Sequence, residues 1–466
     1  MTKTFAGPQG LFIVGGTVKS QLDEGGRQVV EDHLAALLQV HNLVILIGSG
    51  ASFHLGSPQT RNLRTEAIKE LITQSGGNID GSDSALLSVL NPADSGDLEK
   101  LLNGLQLAVA LASQTHHDTV TLGEGESAGA FKVEDIETLR RKIGSALAYA
   151  CRLPGNPAKI DARYRDDPMR AHRNFISRVV RSRRANLPRT RLFTTNYDLV
   201  IERALDELGY PYIDGFSGTV DRRLNLAYYG LDFHRVETTS QQVLTRADSA
   251  LYLHKIHGSL NWRAVTEREA TTGVESLEVR QAPEDEATDA DRVLIYPTTA
   301  KEGDTLAYPY SDLMRLLGDA VQQDDTAIIC VGYGFADPHI NRILLRSLAM
   351  NPALHVLVVD PLAVLEQAEM NTAVGTDGLV GQTLTQAGFT PRATAIATLA
   401  QGVDSRIAVL TGEMGQFTNF ANLVPDPSID SGLAPPSAIV GIIEALQAAM
   451  TRGAEPVNTS DGDTGA

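Results

Sequence analysis

Residues 191 to 204 read RLFTTNYDLVIERA: a strand-like run, Arg191 to Thr195, passes straight into a helix-like run that begins at Leu199 and reaches Leu208. The junction carries no Gly and no Pro, and polar side chains fill it. Asn196 or Asp198 can satisfy free N–H groups at the start of the helix, because a short side-chain oxygen accepts what the first turn cannot bond internally. The same strand tip can instead hold chemistry, and the local pattern leaves both readings open.

Outward from this stretch, the same kind of strand recurs. LVILI at 43–47, LYLHKI at 251–256, AIICV at 327–331, HVLVV at 355–359 and RIAVL at 406–410 are each too short for a helix and nearly continuous in hydrophobicity. Such runs are expected of strands covered by helices on both faces. Helical patterns such as DLVIERALDEL and HINRILLRSLAM lie between them. The alternation predicts an α/β fold, a Rossmann-like doubly wound parallel sheet. Between the first two strands, EKLLNGLQLAVALA and DIETLRRKIGSALAYA have helical periodicity around a loop-like HHDTVTLGEGESAGA, which predicts a helical insertion domain. The expected division is 25–60 and 185–425 for the sheet domain, 61–184 for the insertion, 426–450 for a C-terminal helix and 451–466 for a disordered tail. The polar stretch EREATTGVESLEVRQAPEDEATDAD reads as a flexible surface excursion.

With 466 residues, 42% hydrophobic and 21% charged, the composition is that of a globular protein. No apolar run approaches the ~18 residues of a membrane span, and the N-terminus lacks the basic flank and cleavage site of a signal peptide, so a cytoplasmic location is expected, with no membrane partner. A net charge of −17 argues against a phosphate-backbone surface, and no direct nucleic-acid binding is expected. RVVRSRRANLPRTR, from Arg178 to Arg191, is the basic exception and reads as a solvated helix end and loop. Cys151 and Cys330 are too few for a four-cysteine zinc site, and Cys330 within AIICVG reads as a buried small hydrophobe. His116 and His117 lack partners at ligand spacing and read as surface loop. Trp262 reads as a packing residue.

Two glycine-rich turns follow strands. In IGSGASFHLGSPQTR, Gly48 and Gly50 allow a sharp turn and close approach of backbone N–H groups to an anion, with a helix expected to follow. Phe53 stands where the dehydrogenase fingerprint has its third Gly, which sets that class aside. In VGYGFADPHINRIL, Gly332 and Gly334 form the second turn, and Asp337 before Pro338 fits a helix N-cap better than a ligand. In LHKIHGSLNW, His257 follows a strand; a lone His is more often structural than catalytic. If the strands are parallel, Asn196, Asp198, His257 and both turns share one sheet edge, where doubly wound folds bind ligands. An amide, a carboxylate and an imidazole around such a crevice suit cleavage of an N-glycosidic bond, which needs a positioned nucleophile, a proton acceptor and stabilisation of developing positive charge.

GSGAS at 48–52, TTNYD at 194–198, HGS at 257–259 and GYG at 332–334 resemble, in order and spacing, the motifs of the sirtuin family. GSPQTR at 56–61 matches that family's cofactor loop at Gly56, Pro58 and Arg61. NYDLVIERALDELGYPYIDGFSG, LIYPTTAKEGDTLAYPYSDLMRLLGDA and GYGFADPHINRILL look like the sirtuin-like subunit of bacterial antiphage systems that pair it with a HerA-type hexameric ATPase. The resemblance implies NAD as substrate, with Gly48, Ser49, Gly50, Ala51 and Ser52 cradling its pyrophosphate and Arg61 on a mobile loop. It implies that Asn196 positions the attacking water or ribose hydroxyl, that Asp198 holds the nicotinamide-ribose end, that Thr195 is a cofactor-binding residue, and that His257 is the general base. Gly332, Tyr333 and Gly334 would border the adenosine half, with Asp360 a candidate for its ribose.

The chain departs from deacetylating members in lacking the cysteines of their zinc module, so no metal is expected, and in carrying Gln59 and Thr60 where the loop pattern has Asp and Phe. Thr60 is compatible with water as acceptor, which implies hydrolysis of NAD to ADP-ribose and nicotinamide. The implied role is NAD depletion in antiphage defence, by a large homo-oligomer acting with the ATPase. The competing readings are a non-catalytic sensing or scaffold subunit and a protein deacylase.

Overall fold

The computed structural model describes residues 11–361 and 404–426, apart from 16, 22–23, 59–62, 78, 80, 91–97, 124–127, 238–242, 248, 269–274, 284–291, 295–307 and 336. The expected C-terminal helix and tail lie outside the described residues. The strands of the main sheet are β1 (Leu11–Val14), β2 (Thr17–Gln21), β3 (Asn42–Ile47), β4 (Arg191–Thr194), β5 (Tyr212–Ile213), β6 (Leu251–Lys255), β7 (Thr326–Val331), β8 (Leu354–Val359) and β9 (Ile407–Leu410). They form one nine-stranded sheet in the order β2-β1-β9-β8-β7-β3-β4-β6-β5. All pairs from β9 to β5 are parallel; β1 and β2 add an antiparallel edge.

The expected α/β class with a doubly wound, mostly parallel sheet is what the chain adopts. All six aliphatic runs read from the sequence are strands of it. On β3, Leu43, Ile45 and Ile47 join one buried cluster while Val44 and Leu46 join the other. That alternation buries both faces, which explains the unbroken hydrophobic run. The helices α1 (Glu24–Leu38), α6 (Arg170–Ser182), α7 (Val200–Leu208) and α10 (Phe417–Leu423) cover the first face. The second is covered by α8 (Tyr310–Val321) and α9 (Pro338–Met350). Cys330 is buried on that second face.

Between β3 and α6, the helices α2 (Leu63–Gln74), α3 (Gly81–Leu90), α4 (Leu98–Thr115) and α5 (Val133–Ala150) gather around a core of their own that includes Leu71, Leu86, Leu105, Ile136, Leu139 and Ile143. The stretch after His116 and His117 is more than a loop: Thr119–Leu122 and Gly129–Lys132 pair as a hairpin. The polar excursion is likewise structured in part, since Gly258–Arg268 and Glu275–Gln281 pair within a smaller five-stranded antiparallel sheet. Trp262 and Val279 face inward there while Glu267, Glu278 and Arg280 form an ionic cluster outside, a period-two pattern that charged residues obscure in the sequence. Trp262 packs edge-on against Phe216, with ring centroids 5.3 Å apart.

The basic stretch is not merely solvated. Arg183 donates to Leu38 O and Val40 O just past α1, and Arg178 donates to Asn422 O and Val424 O at the end of α10, so these guanidinium groups satisfy terminal helix carbonyls. Arg189 is paired with Asp232. Among the described residues, no helix is long and apolar enough to cross a membrane.

Candidate active site

The register of the parallel strands places the site. Ile47 pairs with Thr194 and with Val331, Thr194 with Lys255, and Val331 with Val359, so β6, β4, β3, β7 and β8 end level. The residues that follow therefore form one row along the carboxyl edge. From β3 the connections run to β4 and β6 on one side and to β7 and β8 on the other, which makes the ends of β3 and β7 the point where strand order reverses. Ligand crevices of open α/β sheets lie at such points.

Gly48–Gly50 and Gly332–Gly334 flank this reversal, and they touch. Gly48 N–H donates to Val331 O and Gly50 N–H to Gly332 O, each at 3.0 Å. A Cβ on Gly48 would lie 2.5 Å from Gly332 O, and one on Gly332 would lie 2.4 Å from Ala51 N. Gly332 also has φ +60°, which L side chains rarely adopt. The glycines thus answer a close backbone approach between the turns, and the Gly50 N–H expected to face an anion is already bonded. The segment after β3 is a 3₁₀ helix, Ser49–Leu55, rather than a long α-helix. Gly56 ends it with φ +85°, and half-buried Pro58 follows. Arg61, with Gln59 and Thr60, lies outside the described residues. Tyr333 is buried and donates to Asn341 Oδ1 at 3.0 Å, bracing the start of α9. Asp360 is buried at the end of β8, where a Cβ on Gly415 would come 2.8 Å from its backbone carbon.

TTNYD turns immediately after β4. Thr195 N–H donates to Ile47 O at 3.1 Å, and Asn196 N–H to Thr194 Oγ1 at 3.0 Å, so the loop is tied to β3 and to its own strand. The Asn196 side chain is buried, and its Nδ2 donates to Gly48 O at 3.3 Å and Ser52 Oγ at 3.4 Å. Its Oδ1 is buried with no hydrogen-bond partner among the described residues. An unsatisfied buried carbonyl costs about 1–3 kcal/mol, so it marks a place where a donor is missing. Asp198 takes up the capping role as well: Oδ1 accepts from Val200 N–H at 3.0 Å, and Oδ2 accepts from Ser52 Oγ at 3.4 Å. Burial raises its pKa, and Lys255 partly offsets that. Asn196, Asp198 and Ser52 are therefore one network spanning β3 and β4.

His257 lies between β6 and the strand Gly258–Arg268, in a link fixed by Gly258 at φ +84°. It is buried, and Nε2 lies 3.1 Å from Asp337 Oδ2. Asp337 Oδ1 meanwhile accepts from His339 and Ile340 N–H at the start of α9. The expected cap is real, and the other oxygen of the same carboxylate lies against the His257 ring. Because β3 and β4 lie between β6 and β7, the His257–Asp337 contact reaches across both strand ends. Sequence reasoning missed this partner, and it missed Lys255, whose ammonium donates to Glu202 Oε1 at 2.9 Å and to the carbonyls of Tyr197 and Asp198. Asp337 was legible as an acidic residue after a glycine turn; nothing local marked Lys255. Among the described residues, no group of His, Cys, Asp and Glu could hold a metal ion.

Against known proteins, a SIR2-like domain matches residues 190–372, which contain TTNYD, His257 and the second glycine turn. That domain points to NAD-related activity and NAD binding. No curated protein matches the chain.

Proposed function

We propose that the protein is an NAD hydrolase, cleaving the nicotinamide–ribose bond with water to give ADP-ribose, nicotinamide and a proton. The observation that carries this reading is the buried Asn196 Oδ1, on the loop at the carboxyl end of β4, which has no donor among the described residues. A water bound there would be held by an acceptor that cannot take its proton, and so would be oriented rather than ionised. His257 takes the proton, and the Asp337 carboxylate beside Nε2 steadies the charge on the ring. Asp198 supports the developing positive charge on the sugar from a site where low polarity strengthens its field. The two glycine turns meet at the ends of β3 and β7, where the strand order reverses, and that position fits a ligand lying along the strand ends.

We further propose that the chain acts in the cytoplasm as a large homo-oligomer with a HerA-type hexameric ATPase, depleting NAD in antiphage defence. The support is the resemblance of residues 196–218, 294–320 and 332–345 to the sirtuin-like subunits of such systems. Incubation with NAD and an acetylated peptide separates the outcomes: ADP-ribose appearing with the peptide intact supports hydrolysis, and deacetylated peptide would overturn it. Light scattering of the chain, alone and with such an ATPase, tests the assembly; an unchanged monomer mass contradicts it.

A further inference from the structure

Lys255 closes β6 two residues before His257, and it is only 3% exposed. Burying an ammonium is costly unless every N–H finds an acceptor. Here the three are Glu202 Oε1, Tyr197 O and Asp198 O, and two of these belong to the loop that carries Asn196. The charge also serves the Asp198 side chain, since Lys255 is the main influence opposing the burial that disfavours its ionised form.

We propose that Lys255 is a positioning residue that fixes which way the Asn196 amide points, acting through Asp198 and Ser52. This rests on the reading of Asn196 as the group that orients the water. The direction of each hydrogen bond fixes the sense of the amide. An ionised Asp198 only accepts, so the single Ser52 hydroxyl proton goes to Oδ2. Ser52 Oγ is then an acceptor toward Asn196, and Gly48 O can be nothing else. Both face Nδ2, and the reversed amide would set Oδ1 against two oxygens. Oδ1 is left on the opposite side, where it has no partner among the described residues. When Asp198 is protonated, Ser52 is released to donate to Asn196, and Gly48 O alone still opposes the reversed amide.

The test compares Lys255→Met, Lys255→Arg and Ser52→Ala in nicotinamide release, with neutron crystal structures of the variants, which tell the Asn196 amide nitrogen from its oxygen. Lys255→Met is expected to lower kcat about 10²-fold, the scale of a misplaced catalytic group, while KM for NAD changes less than about threefold. The acid side of its kcat–pH profile moves to higher pH, because Asp198 then protonates more readily, and Lys255→Arg recovers most of the loss. Ser52→Ala, which leaves the ion cluster in place, lowers kcat in the same way and moves the acid limb in the same direction by less, because the lost hydroxyl donor holds Asp198 ionised more weakly than Lys255 does. Equal losses in the Met and Arg variants with an unshifted pH profile would overturn the inference, as would a Lys255→Met structure in which Asn196 Nδ2 still meets both Gly48 O and Ser52 Oγ. A wild type that binds NAD but releases no nicotinamide overturns the hydrolase reading alone, and the crystallographic comparison still decides the role of Lys255.

Discussion

His254 and His257 lie three residues apart, both are buried, and they differ in what surrounds them. His254 is sandwiched between Phe193 and Tyr229, with centroids 4.2 and 4.0 Å away, and burial lowers its pKa to about 3. Neither of its ring nitrogens has a hydrogen-bond partner among the described residues. His257 stands past the strand end beside the Asp337 carboxylate. One imidazole is a neutral flat filler of the core; the other has a carboxylate oxygen 3.1 Å from its Nε2. A partner carboxylate at a sheet edge, rather than the histidine itself, distinguishes the two settings, and under the proposed hydrolase function it separates a chemical role from a packing role.

The sharpest way to break this comparison is to remove each ring. His257→Ala is expected to lower nicotinamide release on the order of 10³-fold, within the usual range for a lost general base, with the melting temperature little changed. A wild-type rate in this variant would end the distinction. Next, Asp337→Asn keeps an oxygen for the cap but removes the charge, and should cost about 10²-fold in kcat. Asp337→Ala should add about 1 kcal/mol of lost stability, because Asn still caps a helix and Ala does not. Equal stabilities for these two variants would show that the cap contributes nothing.

The pH dependence of stability sharpens the same contrast. His254, and His54 with its pKa near 4, bind a proton in the unfolded chain at about pH 6.5 but only at much lower pH when folded. The unfolded state then holds more protons, so stability falls as pH drops below about 6.5, and each ring contributes about 2 kcal/mol of loss between about pH 7 and about pH 5. Denaturant unfolding of His254→Phe should show a correspondingly flatter dependence; an unchanged slope would contradict the buried neutral assignment. The smallest effect expected is on catalysis by that variant, which should stay within about twofold of wild type.

Much of the fold could be read from the sequence because the central strands are buried on both faces and so carry unbroken aliphatic runs. β1 and β2 escaped that reading: they form the antiparallel edge, and the Gly15–Gly16 pair beside LFIV breaks the pattern. The hairpin of Gly258–Arg268 with Glu275–Gln281 escaped too, since Arg263, Glu267, Glu278 and Arg280 on its outer face interrupt the apolar pattern. At the site, residue types that fall at strand ends were visible, so Asn196, Asp198 and His257 could be named. What a linear pattern does not carry is pairing at a distance. The closeness of Gly48 and Gly50 to Gly332, the reach of His257 to Asp337 and the burial of Lys255 all arise from strand order. Glycine written as room for an anion proved to be room for another glycine turn.

The most direct measurement is nicotinamide release from NAD by the wild-type chain, with and without a HerA-type ATPase, beside Asn196→Ala, His257→Ala and His254→Phe, with NAD binding followed in parallel by calorimetry. Release is expected from wild type and His254→Phe, and is expected to be lost in the other two variants while NAD still binds. Bound NAD without release under either condition, or release that survives loss of both Asn196 and His257, would contradict this expectation.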